Sequence, residues 1–145
     1  MDFQADDFIT GRIPHRPPFL WLDRILEITD DSILAEKNIA ENLDVFQGHY
    51  PDYPIMPGVL LCEAVFQAGA LLIAELAHEK LSKSGGKPVL TRIQGARFKR
   101  EVRPGDTISI QATVKEQLGS AWFLKGSVRV RGKLAVQVDF ACALT

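Results

Sequence analysis

The sequence predicts an α+β domain in which one long apolar helix is wrapped by antiparallel strands. The run from Val59 to Leu76 contains only Glu63, Gln67 and Glu75 as strongly polar side chains, a pattern typical of a helix buried on all sides. Strand-forming segments precede this run, and alternating segments separated by glycine turns follow it. A strongly curved sheet, helped by a second subunit, would cover such a helix all round.

Length and charge limit the classes of protein that fit. The 145 residues and 16.1 kDa suit one domain over residues 1–145, large enough to bury a core. A net charge of −1 and a pI near 6.3 give no reason to expect binding to nucleic acid or to a membrane surface. Pro57, Glu63 and Gln67 interrupt the one span long enough to cross a membrane, which favours a buried core helix.

The cysteines and the N-terminus indicate a reducing compartment. Cys62 and Cys142 form neither a disulfide framework nor a metal-ligand spacing. Both are interpreted as small core residues, and no metal site is expected. The opening Met-Asp-Phe-Gln-Ala-Asp-Asp lacks the basic and apolar parts of a secretory signal. We therefore expect a cytoplasmic protein.

Two strands are expected before the helix. A short helical piece from Ala5 to Thr10 ends at Gly11 and a proline cluster. Phe19 to Thr29 has strand-forming apolar residues at both odd and even positions, which predicts a strand covered on both faces. Ile33 to Ile39 alternates after an Asp-Asp turn and is predicted to pair with it as a hairpin.

Further antiparallel strands are expected after the helix. The helix should end before a solvated loop at residues 82–88, and Pro104-Gly105 suits a type II turn. The later alternation predicts one packed and one wet face. The predicted strands are Val89 to Arg100, Thr107 to Val114, Trp122 to Val130 and Leu134 to Cys142.

The stretch from Phe46 to Gln67 carries the candidate chemistry. Its prolines and glycines make a stiff loop that presents His49. Gly58, at the start of the helix, lets another molecule approach the first unpaired N–H groups, which can bind partial negative charge. Glu63 follows among apolar neighbours, where a carboxylate is costly without a partner.

Several spaced motifs resemble those of the 3-hydroxyacyl-(acyl carrier protein) dehydratases of bacterial fatty-acid synthesis, a hotdog-fold family. The likeness runs through most of the chain, and motifs in order are more specific than one short pattern. The motifs are Ile13–Leu20 with Asp23-Arg24, Phe46–Pro51, Pro54–Leu60 with Glu63-Ala64 and Gln67, and Ala96–Arg100 with Val102 and Pro104–Asp106.

The resemblance implies reversible, cofactor-free dehydration of 3-hydroxyacyl thioesters on acyl carrier protein to trans-2-enoyl thioesters. It assigns the base to His49, and Glu63 would donate a proton to the departing hydroxyl. The N–H groups of Gly58 and Val59 would hold the thioester oxygen. Gln67 is grouped with these substrate-binding residues as an orienting partner of Glu63.

Assembly is also implied by the resemblance. His49 of one chain would meet Glu63 of its partner across a homodimer interface, with larger assemblies such as hexamers built from dimers. Spacing alone does not decide whether the two residues meet within one chain. Arg97, Lys99, Arg100 and Arg103 fit either a solvated strand edge or a patch that steers acidic acyl carrier protein.

The sequence departs from the family pattern near His49. Family members usually carry Phe where Tyr50 stands and Gly-Arg where Asp52-Tyr53 stands, so chain length and pathway stay open. Related dehydratases that also isomerise the double bond usually carry aspartate at the position of Glu63. Alternative functions are a hotdog thioesterase, a coenzyme-A-linked enoyl hydratase, and a silent acyl-binding subunit. His15 is expected only to tie down the proline loop, residues 13–20.

Overall fold

The computed structural model describes residues 8–145. Ala5 to Asp7 of the predicted helical piece from Ala5 to Thr10 therefore lie outside the described residues. Six strands form one antiparallel sheet in the order β1-β2-β4-β5-β6-β3. The elements are β1 Arg24–Ile28, β2 Ser32–Asn38, α1 Val45–Gly48, α2 Gly58–Leu76, α3 His78–Ser84, β3 Pro88–Phe98, β4 Thr107–Leu118, β5 Ala121–Val130 and β6 Lys133–Leu144.

The long helix α2 is the core of the domain, as the sequence predicts. It contacts β2, β3, β4, β5 and β6, and the Phe66 ring lies 5.0 Å from the Phe140 ring of β6. By length and composition α2 could cross a membrane, but most of its apolar window is buried inside the fold. A long helix enclosed by an antiparallel sheet is the hotdog architecture that the resemblance implies.

Gly126 lets the helix lie close to the sheet. A Cβ atom added at Gly126 of β5 would lie 2.1 Å from Val65 Cγ1 and 2.8 Å from the Gln111 carbonyl oxygen. Val65 is fully buried in α2 and Gln111 belongs to the neighbouring strand. A side chain at residue 126 would therefore push α2 away from the sheet, because packed cores resist added volume.

Gly126→Ala is expected to destabilise the fold by about 1–3 kcal/mol through overpacking against Val65. Urea unfolding followed by circular dichroism measures the change. Gly48→Ala is the matched control, because a Cβ at Gly48 of α1 meets nothing within 4 Å. Equal stability of the two variants would contradict the packing argument.

Tight turns join the later strands. Arg131 and Gly132 between β5 and β6 both have positive φ, 52° and 74°, as a two-residue turn that matches strand twist requires. Gly105 has φ 89° after Pro104, and Asp106 N–H donates to the Arg103 carbonyl over 3.1 Å. The predicted type II turn is confirmed.

The first predicted strand is wrong in its first half. Only Arg24–Ile28 is a strand, because Trp21 N–H and the Phe19 carbonyl bind the Gln67 side chain of α2 instead of a strand. Cover on both faces is wrong too, since Leu26 is 45% exposed. The predicted loop at residues 82–88 is in part helical, because α3 extends to Ser84.

Strand β3 is an exposed edge of the sheet. It pairs with β6 on one side only, and nearly all of its residues are exposed. Val89, Leu90, Ile93 and Phe98 are large apolar side chains at 38–54% exposure. An edge with unpaired backbone groups and exposed apolar side chains is a surface suited to pairing with another chain.

Candidate active site

His49 lies directly after α1, on the loop that leads to α2. Its N–H donates to the Val45 carbonyl over 3.0 Å, which ends the short helix. Its Nδ1 lies 2.8 Å from the Ile55 carbonyl oxygen. Because a carbonyl oxygen only accepts, the neutral ring must carry its proton on Nδ1. Nε2 then holds the free electron pair, as a general base requires.

The ring of Tyr50 supports the histidine from one side. The two ring centroids are 4.7 Å apart. Tyr50 has φ 54°, a left-handed conformation that is uncommon for a residue with a bulky side chain. Such strain persists only where surrounding contacts hold it, and it clusters at functional sites.

The start of α2 opens onto a cavity of about 510 Å³. No side chain caps this end within the described residues, and the first helical bonds come from Leu60 and Leu61 N–H groups to the Pro57 carbonyl. Gly58 and Val59 therefore present backbone donors. Both line the cavity together with Ile55, the partner of His49.

Gly58 is required by the ring that covers it. A Cβ there would lie 2.6 Å from Phe98 Cδ1 and Cε1. Phe98 ends β3, and the following residues Lys99 and Arg100 complete the same wall of the cavity. The apolar wall and the two N–H groups together suit an acyl thioester with a polarised carbonyl.

Glu63 lies further along α2, one turn before Gln67. Gln67 Nε2 donates to Glu63 Oε2 over 3.0 Å. The same amide donates to the Phe19 carbonyl and accepts from Trp21 N–H, each at 2.8 Å. Gln67 is fully buried, so its position suits the predicted orienting role behind Glu63 rather than direct contact with substrate.

His15 is a neighbour of Glu63 that the sequence does not predict. Its Nε2 lies 3.7 Å from Glu63 Oε2. The sequence predicts only that His15 ties down the proline loop. A signal was present, because His15 belongs to the opening motif of the resemblance.

The two proposed catalytic groups have different neighbours within one chain. His49 binds the Ile55 carbonyl, whereas Glu63 contacts Gln67 and His15. Among residues 8–145, no hydrogen bond or ion pair joins His49 to Glu63. The structure therefore brings Glu63 and Gln67 together. It places Gly58, Val59 and Ile55, whose carbonyl binds His49, around the cavity.

Neither cysteine is suited to nucleophilic chemistry. Cys62 and Cys142 are free and buried, as predicted. Burial raises the pKa of the Cys62 thiol and raises that of Cys142 to about 11. The thiolate is the reactive form, so both side chains act as core residues.

Solved structures resemble the chain in fold. A chain of the dehydratase heterocomplex ApeI:P from Xenorhabdus doucetiae has a TM-score of 0.72 at 16% identity, over 94% of this chain and 90% of that chain. The uncharacterized protein PH1136 from Pyrococcus horikoshii has a TM-score of 0.67 at 16% identity, over 89% of this chain and 87% of that chain. The fold and the site therefore define a hotdog protein with a histidine loop beside its helix N-terminus.

Sequence comparison assigns this hotdog protein to a family. A family model described as the FabA-like domain matches residues 13–139, and the chain belongs to that family. The 3-hydroxyacyl-(acyl-carrier-protein) dehydratase FabZ of Clostridium perfringens strain SM101 is 43% identical over 132 residues, 91% of this chain and 92% of its own length. FabZ of Rickettsia akari strain Hartford is 42% identical over 138 residues, which is 94% of this chain and 92% of the length of that protein. The resemblance stated from the motifs is confirmed.

Proposed function

We propose that this protein dehydrates 3-hydroxyacyl thioesters carried on acyl carrier protein, with His49 as base and Glu63 as acid. The relatives named as FabZ dehydratases support the reaction. The observation that carries the role of His49 is the 2.8 Å contact between its Nδ1 and the Ile55 carbonyl. That contact keeps Nε2 unprotonated and fixes the direction in which the base faces.

The reaction requires one proton to leave C2 and one to reach the oxygen on C3. His49 Nε2 takes the C2 proton, and the electron pair of the C2–H bond becomes the C2–C3 double bond. The C3–O bond breaks as Glu63 gives its proton to the departing hydroxyl, which leaves as water. His49 then returns its proton to solvent and Glu63 regains one, which restores both groups.

Charge develops on the thioester oxygen while the C2 proton leaves. The Gly58 and Val59 N–H groups lie at the positive end of α2 beside the cavity, where they would stabilise this oxygen. The Phe98 ring lies against Gly58 and narrows the cavity there. If the carbonyl oxygen of a substrate thioester bound here, its acyl chain would pack against the apolar wall of the cavity.

A homodimer would complete this site. The exposed apolar strand β3 ends at Phe98, on the wall of the cavity that holds Gly58. Val59 is also 71% exposed. A second copy placed against this edge would bury these side chains and bring its own Glu63 to His49. The lack of a His49–Glu63 contact among the described residues of one chain supports this arrangement.

Basic side chains beside the cavity suit an acidic carrier protein. Arg100 lines the cavity, and a groove formed with Arg103, Arg131 and Lys133 continues from it. Arg131 and Arg103 are partly neutralised by Asp106 and Glu101, whereas Lys133 is exposed. Positive charge here would attract the carrier and orient its thioester towards Gly58.

Lys133→Glu is expected to raise KM for 3-hydroxybutyryl-acyl carrier protein about three- to tenfold, because it reverses a charge on the docking path. The KM for the N-acetylcysteamine thioester, which carries no carrier and no phosphate, should not change. Lys125→Glu, on an exposed position of β5, is the control. Equal effects of both variants on carrier-bound substrate would contradict the docking role.

The reaction itself is tested with 3-hydroxybutyryl-acyl carrier protein, by following enoyl absorbance and free thiol in the same sample. We expect the enoyl thioester to form without release of free thiol. Thiol release would instead indicate a thioesterase, and a preference for the coenzyme A ester would indicate a hydratase of that class. Binding without any turnover would indicate a silent acyl-binding subunit.

A further inference from the structure

The proline loop, residues 13–20, is fixed above helix α2 from both ends. Arg16 donates to the carbonyls of Ile13, His15 and Thr10 at 2.7–2.9 Å, which holds the first half of the loop. Gln67 accepts from Trp21 N–H and donates to the Phe19 carbonyl at 2.8 Å, which ties the second half to the helix. The His15 ring is thereby placed beside Glu63.

His15 and Gln67 approach the same oxygen of Glu63. Gln67 Nε2 lies 3.0 Å from Oε2, within hydrogen-bond range, and His15 Nε2 lies 3.7 Å from Oε2, within ion-pair range. The His15 and Glu63 side chains are 27% and 23% exposed, so solvent reaches this contact only in part. Two groups therefore lie around one carboxyl oxygen.

The buried side of the His15 ring indicates its tautomer. Its Nδ1 is buried and has no hydrogen-bond partner within the described part of the chain. In proteins, buried N–H groups without an acceptor are rarer than buried acceptors without a donor. The neutral ring therefore carries its proton on Nε2, which places an N–H donor opposite Glu63 Oε2.

We propose that His15 is a positioning residue that, with Gln67, keeps the acidic proton of Glu63 on Oε1. This inference rests on the proposed role of Glu63 as the acid. The Gln67 amide donates to Oε2, and His15 Nε2 lies 3.7 Å from the same oxygen. Oε2 is thus the acceptor, and Oε1 is the atom that carries the proton. Oε1 can then give this proton to the hydroxyl leaving C3, and the same two donors stabilise the carboxylate that remains.

A purely structural role for His15 would have a different signature. If His15 only held the proline loop, its loss would lower activity by the same factor whether or not Glu63 could donate a proton. If it acts through Glu63, its loss should matter only when the carboxyl group is present. A double-mutant cycle separates these two cases, because residues that act as one unit are not additive.

The experiment measures kcat and KM for 3-hydroxybutyryl-acyl carrier protein in His15→Leu and His15→Gln, each alone and combined with Glu63→Gln. We expect His15→Leu to lower kcat about tenfold with KM within about twofold. His15→Gln should keep most of the rate, since its amide can place an N–H near the position of Nε2. In the Glu63→Gln background, His15→Leu should cause no further loss.

His78→Leu is the matched control, because His78 is exposed at the start of α3. Circular dichroism and gel filtration establish that each variant keeps its fold and assembly. Equal losses from His15→Leu in both backgrounds, or an unchanged kcat in His15→Leu alone, would overturn the inference and leave the role of Glu63 intact. Full activity of Glu63→Gln alone would overturn the role of Glu63 and this inference together.

Discussion

His49→Ala is expected to lower kcat for dehydration by about 10³-fold, in the middle of the range for removal of a general base. The Nε2 electron pair is the only one on the ring that faces away from the Ile55 carbonyl, so alanine leaves no group to take the C2 proton. KM should change little, because the Gly58 and Val59 donors and the cavity wall remain. Steady-state rates on 3-hydroxybutyryl-acyl carrier protein measure the effect.

His78→Ala provides the control for the loss of a histidine. His78 is exposed on α3 and lies outside the cavity that Gly58 and Val59 line. Its activity should stay within about twofold of wild type, because a surface substitution of this kind usually changes stability by no more than about 0.5 kcal/mol. If His49→Ala turned over at the wild-type rate while folded, the base would have to be another group.

Glu63→Gln is expected to lower kcat by about 10²- to 10³-fold. Glutamine keeps the shape of the side chain and an oxygen that can accept from Gln67 Nε2, so the 3.0 Å contact and the fold should persist. The amide has no acidic proton for the departing hydroxyl. Rates in both the dehydration and hydration directions should fall together, because the two directions share one transition state.

Glu75→Gln, on the same helix, separates this effect from a general loss of negative charge. Glu75 pairs with Arg12 at the far end of α2. Its replacement should leave kcat unchanged, at a stability cost within about 1 kcal/mol for a partly exposed pair. A Glu63→Gln enzyme as active as Glu75→Gln would remove Glu63 from the mechanism.

The fold was predictable because its patterns are local. The apolar run of α2 and the alternation in β4, β5 and β6 follow from the periods of helices and strands. The strand over Phe19 to Asp23 could not be excluded from sequence, because a distant glutamine takes up its backbone groups. The exposure of β3 depends on which strand becomes the sheet edge, and local pattern does not contain that information.

The contacts of the candidate site were predictable where the two residues lie close together in the sequence. Glu63 and Gln67 are four positions apart on one helix, which places them in contact by geometry alone. The contact of His15 with Glu63 depends on the fixed path of the proline loop over α2. The tautomer of His49 depends on a carbonyl within a turn of irregular shape. Such contacts arise only when the chain is folded.

The most direct test of the account is complementation between His49→Ala and Glu63→Gln chains co-expressed as mixed dimers. If each site takes His49 from one chain and Glu63 from its partner, half of the random dimers are mixed and each has one complete site, which restores about one quarter of wild-type activity. Each variant alone should stay nearly inactive. If the co-expressed mixture is as inactive as the separate variants while mixed dimers are present, the two residues do not share a site across the interface.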